Sequence, residues 1–166
     1  MRYYDIYDSP YGQMLLVAED EGLAGAYFDG QKYLPQVASQ WRRDAQHTTL
    51  GQAKRELAEY FGGERRRFEL KLAPEGTPFQ RSVWKAISSV GFGETISYGE
   101  LAQRAGCAGS ARAAGAATGR NPIGIIVPCH RIVGSDGSLT GYAGGLDRKR
   151  ALLALESGIA ELFSTA

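Results

Sequence analysis

The densest chemistry in this 166-residue chain sits in one tetrapeptide, Pro128-Cys129-His130-Arg131. A free thiol titrates near ~8.5, so only about 3% is thiolate at pH 7. A neighbouring imidazole raises that fraction by accepting the proton, and an arginine or a helix N-terminus adds positive potential. Lowering the pKa to about 6 corresponds to roughly 3.4 kcal/mol of differential stabilisation. Adjacent side chains of an extended segment point opposite ways, so His130 would serve Cys129 through a bridging water. The alternative is that Cys129 is a small buried hydrophobe.

Glu156 is the second candidate. Leu152 and Leu153 lie four and three residues before it, so on a helix it borders their apolar stripe. A carboxylate there needs a partner. The chain has two histidines, His47 and His130, and a Glu156–His130–Cys129 relay would satisfy it. The alternative is that Glu156 reaches solvent at the edge of the stripe.

Other chemistries are excluded. A Cys-x5-Arg phosphatase loop needs arginine at the position of Ser135. There is no Walker glycine loop, no HExxH and no Cys-x-x-Cys. Two cysteines, Cys107 and Cys129, cannot form a disulfide framework or a four-cysteine zinc site. Cys107 falls in an inter-helix turn without a neighbouring His or Arg and reads as structural.

The elements that position these groups follow from patterning. Tyr3–Tyr7, Met14–Ala18 and Leu23–Phe28 read as a three-strand meander separated by turn residues. A helix is expected after Thr49, with Gln52 completing a capping box and Gly62-Gly63 ending it. Phe68, Leu70 and Leu72 alternate with charged residues, as in a short strand or extended exit. Ala73 to Gly76 reads as a linker. Thr77-Pro78 opens a helix, and Ser97 with Glu100 opens another. Ser110 starts a third, rich in Ala and Gly, that ends at Asn121-Pro122. The pair at about 97–106 and 110–119 fits a helix-turn-helix. Its small-residue surface suits either tight helix packing or a helix laid in a DNA groove, with Arg112 as the long side chain near its start. Ile123–Val127 reads as a buried β-like run, and a last helix runs from Asp147 towards Gly158.

Charge and composition bound the rest. Hydrophobic residues make up 43% and charged residues 22%, with net charge +1, an ordinary globular balance. Residues 1–75 carry 10 basic and 12 acidic side chains, and residues 76–166 carry 9 and 6. The second half is therefore the better partner for an anion. The start lacks the pattern of a secretory signal, and no apolar run is long enough to span a membrane. A reducing, cytoplasmic location is expected.

Together these motifs resemble the O6-alkylguanine-DNA alkyltransferases of the short bacterial type. The resemblance rests on Asn121-Pro122 with Ile125 through Ile132, on Thr140-Gly141-Tyr142-Ala143-Gly144-Gly145, and on Leu152 through Glu156. It extends to Ser97–Ala102, Ala111–Gly115 and Gly76–Gln80. It implies an α/β protein with two domains. Residues 1–75 would be a small antiparallel β-sheet domain with a helix, ribonuclease H-like. Residues 76–166 would be a mostly helical alkyl-acceptor domain containing the helix-turn-helix.

The resemblance also implies roles. The partner is double-stranded DNA carrying O6-alkylguanine, bound through the minor groove, with the damaged base flipped into a pocket. Arg112 fills the gap in the stack, with Ser110, Ala111 and Ala113 against the DNA. Tyr98 bears on the phosphate turn and hydrogen-bonds the guanine. The pocket comprises Val127, Pro128, Tyr142, Ala143 and Gly144, with the Ala143 N–H facing the alkylated oxygen and carbonyls near Val127 and Cys129 reading the exocyclic amine. Asn121 braces the turn carrying the cysteine. Glu156 orients His130, which deprotonates Cys129. The alkyl group passes to Cys129 in a single turnover, from guanine and also from O4-alkylthymine. No metal, cofactor, membrane or obligatory protein partner is expected. A non-catalytic lesion-binding module and a thiol hydrolase are the rival readings.

Overall fold

The computed structural model describes residues 1–158; residues 159–166, the end of the expected second half, lie outside them. Strands β1 (Tyr3–Ser9), β2 (Gly12–Glu19) and β3 (Gly22–Phe28) form the expected antiparallel meander. The Ser9 hydroxyl accepts from the Tyr11 N–H in the first turn. A short strand, β4 (Arg42–Arg43), adds to β1 in parallel, giving the order β3-β2-β1-β4. The sheet is thus mixed at one edge, which the polar residues of β4 did not signal.

Helix α1 (Thr48–Phe61) packs on the sheet through Leu50, Ala53, Leu57 and Tyr60. It starts one residue before the expected cap, and the capping box of Thr49 with Gln52 does not form. His47 holds the N-cap position without a side-chain bond. The Gln52 amide instead donates to buried Glu56, which also accepts from the Glu69 N–H. A buried carboxylate that needs donors outweighs an exposed cap.

The exit segment joins the sheet at one isolated parallel bridge, Leu23 to Leu72. Gly22 makes this possible. A Cβ there would lie 2.4 Å from the Lys71 carbonyl oxygen, and its φ of +147° disfavours other residues.

Helix α2 (Pro78–Ile87) carries the full capping box between Thr77 and Gln80. Ser97 caps α3 (Tyr98–Arg104) by accepting from the Glu100 N–H. Helix α4 (Ala111–Gly119) packs on both α2 and α3. The Trp84 indole N–H donates to the Ala117 carbonyl at 2.8 Å. The small residues of α4 pack it tightly on one face and leave the other open. Ala114, Ala117 and Thr118 are buried, while Arg112, Ala113 and Ala116 are exposed.

β5 (Ile96–Ser97) and β6 (Ile132–Val133) make a short parallel pair, and α5 (Leu146–Ser157) ends at Gly158 in the left-handed region. One continuous apolar core runs from Met14 and Phe28 through Tyr60 and Val83 to Ile123 and Leu152. The two halves of the chain therefore share a core.

The β-like run expected at Ile123–Val127 is a sequence of turns. Only Ile123 bridges to β3, at Ala26. Ile125 has φ +70°, unfavourable for a β-branched residue. Local bonds explain it: the Asn121 side chain holds both ends of the loop, at Ile123 and Val127. The strain is stored next to the cysteine.

Candidate active site

Cys129, His130 and Arg131 form a single 3-10 turn, not the extended segment expected. Successive side chains still diverge. Cys129 lines an open cavity of about 680 Å³ together with Tyr98, Ala111, Tyr142 and Ala143. His130 and Arg131 turn inwards and are buried.

Behind the thiol lies a buried carboxylate with several donors. Glu156 is buried and does not reach solvent. Its Oε2 meets His130 Nε2 at 2.7 Å and accepts from the Tyr60 hydroxyl at 2.6 Å. The Arg131 guanidinium donates to both oxygens, at 2.8 and 2.9 Å. These partners hold Glu156 well below the usual carboxylate range against the opposing effect of burial. It is an acceptor only, so His130 Nε2 carries the proton and Nδ1 holds the lone pair. His130 Nδ1 is buried with no hydrogen-bond partner among the described residues. Burial pushes the imidazole pKa down and outweighs the carboxylate, with Arg131 adding to the depression. A neutral imidazole is the form that can take a proton.

Two of the three relay members are thus joined directly. Among the described residues no hydrogen bond joins His130 to Cys129, so that link needs an intervening water. The thiol has a different neighbour. Asn121 Nδ2 lies 3.2 Å from Cys129 Sγ and donates to the Val127 carbonyl at 2.9 Å. Sequence reasoning expected neighbours to depress the thiol. In the folded chain burial pushes the Cys129 thiol up, and only partly do the Asn121 amide and the Lys149 ammonium oppose it. The resting residue is a thiol poised beside a base.

The remaining candidates divide. Tyr98, Tyr142 and Ala143 line the cavity, and the Thr140 hydroxyl donates to the Tyr98 oxygen at 3.3 Å. Val127, Pro128 and Gly144 do not line it. Pro128 faces a second cavity beside Arg131 and Phe92. Gly144 sits behind the Tyr142 ring, where a Cβ would come within 2.7 Å. The Val127 carbonyl already accepts from Asn121 Nδ2 and from the Cys129 N–H. Both its lone pairs are engaged, so it is not free to read an amine. Ser110, Arg112 and Ala113 are exposed at the start of α4, and Ala111 turns to the cavity. Cys107 is partly buried against the core.

Three groups escaped the sequence reading. Tyr60 comes from α1, far from the motif. Arg131 stands in the motif but had no assigned partner. Lys149 is wholly buried, and its ammonium donates to the Ile132 and Thr140 carbonyls at 2.6 and 2.7 Å. Burial brings its pKa down to about 8, opposed by Cys129. Lys149 stands three and four residues before Leu152 and Leu153, on the stripe that also carries Glu156, and that spacing was the available signal.

Residues 2–74 match the ribonuclease-like domain, and residues 78–158 the DNA binding domain, of 6-O-methylguanine DNA methyltransferase. A methylated-DNA–protein-cysteine methyltransferase of Methanosarcina acetivorans is 48% identical over 154 residues, 93% of this chain and 97% of that one. One from Mycobacterium tuberculosis is 46% identical over 156 residues, 94% and 93% of the two chains. The crystal structure of Mycobacterium tuberculosis OGT in complex with DNA superposes with a TM-score of 0.87 at 43% identity, covering 97% of this chain and 96% of that one. With both halves matched and this identity along nearly the whole chain, the protein belongs to the 6-O-methylguanine DNA methyltransferase family.

Proposed function

We propose that the protein is a methylated-DNA–protein-cysteine methyltransferase that reverses O6-alkylation of guanine in DNA, with Cys129 as the acceptor. The observation that carries the reading is a thiol on an open cavity with a buried, carboxylate-held imidazole behind it. A module that only binds lesions has no use for that arrangement.

The reaction follows from the groups present. His130 Nδ1 takes the Cys129 proton through water, and the Glu156 carboxylate stabilises the imidazolium that forms. Desolvation makes the resting thiol a weak acid, so a base for its proton is part of the chemistry. The sulfur attacks the alkyl carbon in line. The S–C bond forms, the C–O6 bond breaks, and its electron pair leaves on guanine, which then takes up a proton. The product is a thioether that water does not readily displace, so each molecule acts once. As written, the transfer needs no metal or organic cofactor. O4-alkylthymine presents the same alkyl–oxygen bond and falls within the reading.

The same reading places α3 and α4 as a helix-turn-helix in the minor groove. Arg112 stands in the stack and the damaged base is flipped into the cavity beside Tyr98 and Tyr142. Asn121 positions the thiol and its turn. Among the described residues no helix is long and apolar enough to cross a membrane. A reducing compartment such as the cytoplasm suits a free acceptor thiol.

The test is intact-protein mass after incubation with an O6-methylguanine duplex. One methyl per molecule on Cys129, with no turnover beyond stoichiometry, is the expected result. An unmodified protein that still binds the lesion would support the binding module instead. Repeated turnover would support a hydrolase.

Arg112→Ala separates DNA handling from chemistry. Transfer from a duplex should fall by about tenfold or more, the cost of a few kcal/mol of unstacking left unassisted. Transfer from free O6-benzylguanine should hold, because a free base needs no flipping. Equal losses on both substrates would move Arg112 into the cavity or the fold.

A further inference from the structure

Two residues of the first half of the chain reach the cavity that holds Cys129. These are Lys32 and Tyr33, from the turn after β3. Tyr33 is unusual in two ways. Its φ is +61°, and among the described residues only Ile125 shares this left-handed backbone without being glycine. The residue is also 54% exposed. A left-handed residue with a Cβ is strained, and an exposed ring recovers little from burial. Core packing therefore does not account for the conformation.

Three hydrogen bonds and two cation–π contacts hold it, the Lys32 ammonium lying 5.9 Å from the ring centroid. The Gln31 side chain accepts from the Phe28 N–H and donates to the Lys32 carbonyl. The Lys32 N–H donates to the Ala143 carbonyl at 3.0 Å, tying the turn to the cavity wall. The Arg120 guanidinium lies 4.0 Å from the Tyr33 ring centroid. Arg120 follows α4 and lines the cavity from the other half of the chain. The Tyr33–Arg120 stack thus closes one side of the cavity between the two halves.

The other boundaries are of two kinds. Ala111, Gly115, Gly141 and Ala143 are small, and Tyr98 and Tyr142 are held by Thr140 or by burial. The stack has no hydrogen bond across it. It is the boundary that can part without breaking a backbone ladder or opening the core.

We propose that Tyr33 is a specificity-determining residue, setting with Arg120 the upper size of the alkyl group that the cavity admits. This rests on the alkyl-transfer reading above. A methyl group fits with the stack closed. A bulky group must part it, at a cost equal to the strength of the stack.

The experiment is an internal competition. Equal amounts of duplex carrying O6-methylguanine and O6-benzylguanine are offered in excess, and the two Cys129 adducts are counted by mass. Tyr33→Gly suits the left-handed backbone and should fold; Tyr33→Phe retains the stacking ring. Glycine should raise the benzyl-to-methyl ratio about two- to fivefold, the worth of one exposed cation–π contact. Phenylalanine should keep the parent ratio. Because both adducts form in one sample, a lower active fraction cancels. An unchanged or falling ratio with glycine overturns the proposal. Failure of the alkyl-transfer reading is a separate result: no adduct on Cys129 in the unsubstituted protein.

Discussion

Cys129→Ser removes alkyl transfer, by on the order of a thousandfold or more, and leaves duplex affinity within about twofold. The size of the kinetic loss is that expected when the nucleophile of a catalytic unit is removed. A seryl hydroxyl is far less acidic than a thiol and far less nucleophilic towards a saturated carbon, and His130 is too weak a base to ionise it. The small effect on binding follows from burial. Cys129 is 7% exposed and offers the DNA little surface. Its loss removes the Asn121 contact to sulfur, but Asn121 keeps its bonds to Val127 and Ile123, so the turn should hold. Gel shift with a lesion duplex measures the binding, and intact mass measures the transfer. Residual transfer in the variant, or a methyl group on Cys107, would move the acceptor site elsewhere.

Glu156→Gln is expected to be the most destabilising of the conservative changes. Its first consequence is for the relay, through loss of the negative charge beside His130. The structure gives it a second and larger consequence. Glutamine leaves the Arg131 guanidinium buried without its counter-charge, and breaking one side of a buried ion pair costs about 3–5 kcal/mol. Tyr60→Phe removes one hydrogen bond to the same carboxylate and should cost about 1–2 kcal/mol. Urea melts of the two variants measure the difference. Near-equal losses would mean that the ion pair adds nothing beyond a single hydrogen bond to the carboxylate.

The same cluster sets the response to acid. The Glu156 pKa is lower folded than unfolded. Its stabilising contribution is complete above the unfolded value of about 4.3 and is lost as pH falls below it. His130 is also depressed. Its contribution is complete above about 6.5 and shrinks as pH falls further. Both terms have one sign, so stability should decline from about pH 6.5 downwards, steepening below about 4.3. In Glu156→Gln the lower step should vanish. In transfer assays, folded Glu156→Gln and His130→Gln should lose rate to similar degrees, and the double variant should be little worse than the worse single one, as members of one unit behave. Additive losses would separate Glu156 from His130 in the chemistry.

Local patterns in the sequence were enough for much of this protein. The meander β1–β3 was legible because its turns are marked by Ser-Pro-Tyr-Gly and Glu-Asp-Glu-Gly. Helix α2 was legible because Thr77, Pro78 and Gln80 satisfy backbone groups within one turn. Glu156 was legible as a carboxylate on an apolar stripe that needs a partner, and His130 as that partner because the chain offers only two histidines. Tertiary structure decided the rest, wherever the deciding partner lies far along the chain or a local signal has a stronger rival. Gln52 left its capping box for Glu56 because a buried carboxylate needs donors more than an exposed helix start does. Ile123–Val127 forms turns because Asn121 holds both ends. The Cys129 thiol is pushed up because burial depends on the whole fold and outweighs its immediate neighbours. Tyr60 on Glu156, Lys149 beneath the loop and Tyr33 at the cavity mouth have no motif. Tyr60 and Tyr33 are placed by packing between halves of the chain, and Lys149 by carbonyls of the loop before its helix; these contacts depend on how the chain closes and not on spacing in the sequence.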